Sequence, residues 1–277
     1  MNDRQVALVT GASSGIGQEI ASLLAERGLR VFGTARRPGP GQIRLDVTDD
    51  ASVATAVQEV LSQAGRIDVL VNNAGYALAG ALEETSIEEA QEQFDTIFFG
   101  VLRMVKAVLP AMRLRGSGRI VNISSLAGLL PIPYRGVYSA SKHALEGYTE
   151  TLDHEVRRFG VRAALVEPTF TRTNIETNHR RARASIDAYA RQEELTSASI
   201  VEQVARGESP RAVAEAVHLA ITDEPPRLRY PVGAARTLGR VRRFVPARLF
   251  DRQFRRRFHL DEGLVSGPGA PGARSDS

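Results

Sequence analysis

The sequence predicts an α/β fold: a doubly wound parallel sheet in a single domain with a C-terminal helical extension. Three observations predict it. Short β-branched runs alternate with longer amphipathic runs, each amphipathic run is long enough to cross the sheet and return, and glycines punctuate the ends of the runs. The chain has 277 residues, 43% of them hydrophobic and 25% charged, enough to bury one large core, so a disordered or collagen-like chain is excluded. No cysteine is present, which removes disulfides, thiolate metal sites and cysteine nucleophiles and fits a cytoplasmic setting. The N-terminus places charge before a short apolar run and a glycine turn, the pattern of neither a signal peptide nor a membrane span, and no later run reaches spanning length.

In chain order, the β-branched runs predict strands at Val6 to Thr10, Leu29 to Thr34, Gln42 to Leu45, Asp68 to Val71, Arg119 to Ile123 and Val161 to Val166. Helices are expected at Gly15 to Glu26, Ala51 to Gln63, Ile87 to Met112 and Gly136 to Phe159. Gly28 closes the first helix, Gly65 the second, and Pro110 lies near the end of the third. Beyond Pro168, the stretch from Thr169 to Arg206 is polar, arginine-rich and helix-prone, as expected of a lid over a ligand crevice, and the next strand signal is Leu228 to Val232. Leu238, Val241 and Val245, then Phe250, Phe254 and Phe258, fall at helical spacing on either side of Pro246. They predict two short amphipathic helices, the second started by Pro246. The expected organisation is therefore a main domain over 1–232, basic amphipathic helices over 233–262 and a disordered tail over 263–277.

The formal net charge is +4, but Arg227 to Arg257 holds eleven arginines and one acid, Asp251. Such a stretch suits nucleic acid, anionic lipid, an acidic partner or a phosphorylated ligand, or is a solvated helix face. The reading adopted is a small-molecule enzyme with no nucleic-acid partner, with weak membrane-surface contact through Arg240 to Phe258 as a separate expectation.

The most informative segment is VALVTGASSGIGQEI, in which a buried strand runs into Gly11, Gly15 and Gly17 and then into a helix. Glycines let the backbone approach an anion, and first-turn amides point at it, so Gly11, Ser13, Ser14, Gly15, Ile16 and Gly17 form a candidate phosphate cradle. The spacing is G-x-x-x-G-x-G, and a purely structural turn would look the same. The second strand ends without the acid that accepts from the ribose hydroxyls of NAD; Arg36 and Arg37 follow instead. Guanidinium groups there favour the 2′-phosphate of NADP(H), unless both merely extend into solvent. Asp46 and Val47, after the third strand, offer a carboxylate and an apolar wall to an adenine ring.

Tyr138 and Lys142 are four residues apart, hence on one helix face. A neighbouring ammonium is expected to lower the phenol from its ordinary value near 10 and make it a usable acid or base. Thirteen residues before Tyr138, Ser125 follows a strand and should emerge at its carboxyl end.

Taken together, TGASSGIG, Asn72-Asn73-Ala74-Gly75, Ser125 and Tyr138-x-x-x-Lys142 resemble the short-chain dehydrogenase/reductase family, in its steroid-dehydrogenase-like branch, over roughly residues 5 to 175. The resemblance implies a Rossmann fold. It implies that Ser125 and Tyr138 hold the substrate oxygen, that Tyr138 moves the proton, and that Lys142 binds the nicotinamide ribose. It also implies cofactor contacts at Asn72, near the adenosine, at Ala74 and Gly75, at Pro168, and at Thr173 beside the nicotinamide carboxamide. A homodimer or homotetramer formed through the helices at Ile87 to Met112 and Gly136 to Phe159 is implied as well. Two positions depart from the family pattern: Ile97 replaces an asparagine that bends the fourth helix and supports a relay water, and Thr169 replaces a glycine. The function expected is an NADPH-dependent carbonyl reductase, reversible as an alcohol dehydrogenase. Lid residues Phe170, Ile175, Ile186 and Tyr189 suggest a bulky, lipophilic ketone. The alternatives are an NADP(H)-binding protein without turnover and a non-redox cyclase or dehydratase.

The remaining candidates are weaker. The five histidines lack metal-ligand spacing and His143 is expected to pack beside Lys142, so no metal is expected. Glu83, Glu84, Glu88 and Glu89 look like loop and first-turn acids. The Asn122 sequon falls in a buried strand.

Overall fold

The computed structural model of the chain describes residues 4–172 and 179–260; Thr173, Ile175 and the expected C-terminal tail lie outside them. The central sheet has seven strands in the order β3-β2-β1-β4-β6-β7-β9. They are β1 (Val6–Val9), β2 (Arg30–Ala35), β3 (Ile43–Arg44), β4 (Val69–Asn72), β6 (Gly118–Ile123), β7 (Val161–Glu167) and β9 (Arg229–Pro231). Every neighbouring pair is parallel, with Leu8 opposite Phe32 and Leu70, and Ile120 opposite Ala163. This is the doubly wound architecture that the alternating pattern predicts.

Parallel strands must bury both faces, so their residues are apolar throughout rather than alternating with polar ones. Leu8, Leu70 and Ile120 point one way, onto Val53 and Val57 of α2 (Asp50–Ala64), Val101 and Met104 of α4 (Gly100–Arg115), and Leu145 and Leu152 of α5 (Gly136–Val156). Ala7, Val9, Val71 and Val121 point the other way, onto Ile20, Leu23 and Leu24 of α1 (Gly15–Glu26) and Val213 and Val217 of α7 (Pro210–Thr222). Each fully buried leucine or valine contributes about 1.5–3 kcal/mol.

Local chemistry sets the helix ends. Asp49 accepts from the amides of Ala51 and Ser52, starting α2, and Gly65 ends it with φ at 72°. Ser86 and Glu89 close a reciprocal capping box at the start of α3 (Ile87–Phe94), so Glu89 is a cap and not a catalytic acid. The expected continuous helix from Ile87 to Met112 is interrupted by a π-helical turn at Asp95–Phe99, after which α4 runs through Pro110 to Arg115. Arg103 fastens that turn, donating to Asp95 Oδ1 at 2.7 Å and to Asp50 Oδ1 at 2.7 Å.

Three elements are additional to the sequence expectations. A small parallel pair joins β5 (Ala77–Ala79) to β8 (His179–Arg181), the latter inside the stretch read as helix-prone lid. Runs of three residues are too short to show a period, and their pairing is entirely non-local. The helix α7 does carry a local signal: Ser209 caps it through Ala212 N, and Pro210 opens its first turn. The lid also contains α6 (Asp187–Ala205), followed after β9 by α8 (Ala235–Phe244) and α9 (Ala247–Arg257). Pro246 is the cap residue of α9, in line with its expected starting role. Phe254 and Phe258 dock on Ile200 and Val204 of α6, and the Phe258 carbonyl accepts from Thr196 Oγ1 at 3.2 Å.

Arg229 of β9 ties the sheet edge to α5. It pairs with Glu146, with Glu167 of β7, and with Glu150 at 2.6 Å, while Ser124 donates to Glu146. Burial and the adjacent Glu146 carboxylate push the Glu167 carboxyl above its ordinary value of 4.5, although Arg229 opposes the shift. A carboxyl with a raised folded-state value stabilises the fold in its neutral form; that contribution is complete below the unfolded value and is lost as pH rises through the folded one. Urea unfolding from about pH 5 to about pH 8 should therefore show wild type losing stability relative to Glu167→Gln, and parallel profiles would contradict this assignment.

Candidate active site

The carboxyl ends of β1, β4, β6 and β7 open on a crevice of about 570 Å³. Ligands sit at this edge of open α/β sheets because the helix N-termini converge there. Gly11 has φ at +66° and Gly15 at +57°, backbone that L side chains rarely adopt. A Cβ on Gly17 would lie 2.2 Å from the Gly11 carbonyl oxygen. The Ser14 side chain does not cap α1, and Ser13, Ser14, Ile16 and Gly17 line the crevice. A Gly-lined turn with first-turn amides lacking a side-chain cap is what a pyrophosphate requires.

The second turn is bonded to this one. Thr10 Oγ1 accepts from the amides of Asn73 and Ala74 at 2.9 and 3.0 Å, and Asn73 Nδ2 donates to the carbonyls of Thr10 and Gly11 at 3.0 and 3.1 Å. Asn73, Ala74 and Gly75 line the crevice. Asn72, expected near the adenosine, does not: it is buried in β4, where its Nδ2 donates to Asn122 Oδ1 at 2.8 Å. Strand alternation explains the correction, since a one-residue step turns the side chain from the crevice into the sheet. Gly15 shapes the turn without lining the crevice.

At the opposite end, β2 finishes at Ala35 and exposed Arg36 lines the crevice with Asp46, Val47 and Thr48, whereas Arg37 does not. Burial raises the Asp46 carboxyl, but the Thr48 amide and hydroxyl, aided by Arg36 and Arg103, hold it below its ordinary value. Thr48 N and Oγ1 donate to Asp46 Oδ1 at 3.0 and 2.8 Å.

Ser125, Tyr138 and Lys142 line one wall. Ser125 begins a short 3₁₀ turn, its Oγ accepting from Ala127 N at 3.1 Å. Tyr138 and Lys142 project from the first two turns of α5. Lys142 Nζ donates to the Ile123 carbonyl at 2.6 Å and lies 5.8 Å from the centroid of the Tyr138 ring. Burial pulls the ammonium down to about 8, although Glu146 opposes it. Tyr138 differs from the sequence expectation. Burial raises the phenol above its ordinary value of 10, with hydrogen bonding to Ser125 and the charge of Arg135 pulling the other way. Desolvation outweighs the Ser125 hydrogen bond and the Arg135 charge, so the phenol stands as a proton donor.

Ile97 lies inside the π-helical turn, 1% exposed and against Gly75. Pro168, Thr169 and Phe170 line the crevice roof. Tyr189 is half-buried, bonds Glu83 Oε2 at 2.6 Å, and lies outside the crevice lining, as does Ile186. His143 Nδ1 bonds the Ser139 carbonyl at 2.8 Å. Among the described residues, no cluster of three histidine or acidic side chains could hold a metal.

Among the crevice residues that escaped the sequence reading are Tyr76, Arg135, His179 and Arg180. The Arg180 guanidinium lies 4.2 Å from the Tyr76 ring centroid, a contact that depends on the β5–β8 pairing. His179 is pushed down to about 4 by burial and by Arg135. Only the position of Arg135, three residues before Tyr138, offered a signal in the sequence.

The chain is similar to known proteins in sequence and in fold. The short chain dehydrogenase family pattern matches residues 5–184. A 3-ketodihydrosphingosine reductase of Bacteroides thetaiotaomicron is 43% identical over 241 residues, covering 83% of this chain and 88% of that protein. The crystal structure of a short-chain dehydrogenase from Streptomyces avermitilis superposes with a TM-score of 0.81 at 35% identity, over 95% of this chain and 100% of that one. A short chain dehydrogenase from Burkholderia cenocepacia, solved in complex with NADP, has a TM-score of 0.72 at 27% identity, over 91% of this chain and 98% of that one.

The tightest test of the cradle is Gly17→Ala, whose methyl group meets the Gly11 carbonyl at 2.2 Å. Dinucleotide binding measured by calorimetry should weaken at least about tenfold, whereas Gly28→Ala, outside the crevice, should leave it unchanged. Equal affinities for both variants would contradict the cradle.

Proposed function

The chain belongs to the short chain dehydrogenase family and is a short-chain oxidoreductase. On that premise we propose that it is an NADP(H)-dependent carbonyl reductase acting on a bulky, lipophilic ketone. The observation that carries this reading is the placement of Ser125, Tyr138 and Lys142 on one crevice wall that continues into the glycine cradle. Support for the phosphorylated dinucleotide comes from Arg36 at the end of β2, where no acid stands, and from a neighbour solved with NADP. Support for the substrate class comes from the apolar wall formed by Ile132, Phe170, Ile200 and Val204, and from a relative named for a keto-lipid reductase.

The residues fit the dinucleotide: the Gly11 and Gly17 approaches leave no room for a side chain, and the first-turn amides of α1 have no side-chain cap. These amides would hold the pyrophosphate, Arg36 the 2′-phosphate, Asp46 and Val47 the adenine, and Lys142 the nicotinamide ribose. When bound, the dinucleotide would supply the hydride that the carbonyl carbon takes up. Ser125 and Tyr138 hold the carbonyl oxygen through their hydroxyls, and as negative charge develops there Tyr138 gives up its proton, yielding the alcohol. Burial keeps the phenol protonated until that moment. The Lys142 ammonium then stabilises the phenolate left behind, a role it fills only below its own value of about 8. Enclosing donor and acceptor together supplies the positional share of the acceleration.

Buried Ile97 favours a second reading, NADP(H) binding without turnover, because an apolar side chain there accepts no hydrogen bond. We also propose a homo-oligomer formed through α4 and α5, which would cover exposed Leu114.

With NADPH and a panel of lipophilic ketones, turnover should fall as pH rises through about 8, and Tyr138→Phe should reduce it by about 10²–10⁴-fold. Arg36→Ala should cost NADPH about tenfold in kcat/KM and leave NADH little changed. Tight NADPH binding with no hydride transfer to any ketone would favour the second reading.

The basic C-terminal helices support weak contact with an anionic lipid surface. Arg248, Arg252 and Arg256 are exposed on α9, beside Phe244 and Leu249, which are 81% and 53% exposed. Sedimentation with phosphatidylserine vesicles should occur at low salt and be lost in Arg248→Glu/Arg252→Glu; no sedimentation by wild type would contradict the contact.

A further inference from the structure

Arg135 stands at the cap position of α5, where the chain turns into the helix that carries Tyr138 and Lys142. It is only 8% exposed, yet it lines the same crevice as Tyr138. A guanidinium offers five N–H donors in a planar fork. Here one nitrogen, Nη1, donates to the Tyr134 carbonyl at 2.8 Å, and among the described residues no carboxylate reaches Arg135 within ion-pair distance. Glu193 acts on it only from further away, and Arg181 adds a second positive charge to the same region. Burial pulls the guanidinium down to about 10, so it stays charged at neutral pH.

A buried cation whose hydrogen bond among the described residues goes to a carbonyl is an expensive arrangement. Tyr134 has φ at 55°, a conformation that costs a residue other than glycine, and its carbonyl accepts from Gly80 N at 3.1 Å as well as from Arg135. The guanidinium is therefore positioned from the backbone, with the rest of its fork paired to no acid among the described residues. Close by, His179 is held neutral by burial and by Arg135 itself, so it adds a hydrogen-bonding ring without adding charge. Around these two polar groups the wall is apolar: Ile132, Phe170 and Ile200.

Building on the carbonyl-reductase reading, we propose that Arg135 is the specificity-determining residue for a substrate that joins an apolar chain to a carboxylate within a few bonds of its ketone. A carboxylate matches the planar fork and supplies the missing negative charge. A neutral ketone leaves the guanidinium unpaired, and an ammonium in that place sets a third cation beside Arg135 and Arg181. Arg135 is one helical turn before Tyr138, which fixes the short separation between the two substrate groups.

The test is calorimetric binding to the NADP-saturated protein of three ligands with the same long chain: a keto acid, its methyl ester and the matching amino ketone. Wild type should bind the keto acid at least about tenfold more tightly than the ester, with the amino ketone weakest. In Arg135→Gln the keto acid and the ester should become equal, in Arg135→Lys part of the preference should return, and NADP affinity should be unchanged in both. Turnover is not needed for this readout, so a protein that ranks the ligands as expected but reduces none of them fails the reductase reading alone. An amino ketone that binds best, a keto acid no tighter than its ester in wild type, an Arg135→Gln variant that keeps the wild-type ranking, or no binding of any of the three would overturn the proposal. The wild-type ranking decides it even if the Arg135→Gln variant does not fold.

Discussion

An ammonium group enclosed by protein and held by one backbone carbonyl, with no contacting carboxylate among the described residues, is the constraint on which the proposed chemistry depends. Lys142 reaches across from α5 to the Ile123 carbonyl, the last residue of β6. That hydrogen bond joins the helix to the strand end, and Tyr138 lies one turn earlier on the same face. Ser124 and Ser125 follow Ile123 directly, so the strand end that anchors the lysine also presents the serine hydroxyl. Charge and position are therefore one problem, and burial lowers the ammonium while raising the phenol.

The two-faced sheet makes that placement durable. Val121 and Ile123 pack towards α1 and α7, Ile120 packs towards α4 and α5, and α5 is also joined to β7 and β9 through the Arg229 cluster. Functional groups at strand ends are held by cores on both sides, while the glycine turns, fastened by Thr10 and Asn73, need no packing of their own. The lid is built differently. Ile200 and Val204 of its inner wall are backed from the far end of the chain by Phe254 of α9 and by Phe258, which follows that helix. A basic outer helix thereby packs on the apolar interior of the lid.

What could be read from sequence was whatever has a period or a fixed local spacing. The six central-sheet strands up to Glu167, the bounds of α1, the cradle glycines, and Ser125 with Tyr138 and Lys142 on one wall all belong to that class. What escaped was set by long-range contacts. The β5–β8 pair rests on pairing across about a hundred residues, so Tyr76, His179 and Arg180 could not be placed in the crevice. The π-helical turn breaks a helix whose hydrophobic pattern reads as continuous. Asn72 and Asn73 exchange roles because register, not composition, decides which one faces the ligand edge. The phenol's direction was misjudged because spacing reveals a neighbouring charge but not the depth of burial that outweighs it.

The enclosed ammonium can be measured directly, because the sequence contains only two lysines, exposed Lys106 and Lys142. In protein labelled with ¹³C-lysine, each side chain gives its own Cε resonance, and Lys142→Met identifies the buried one. A Lys142 titration midpoint near 8 is the result expected of an ammonium stripped of water and held by the Ile123 carbonyl. A midpoint at the ordinary lysine value of 10.5 would mean a solvated side chain, and the coupling of strand end, lysine and phenol described here would be wrong.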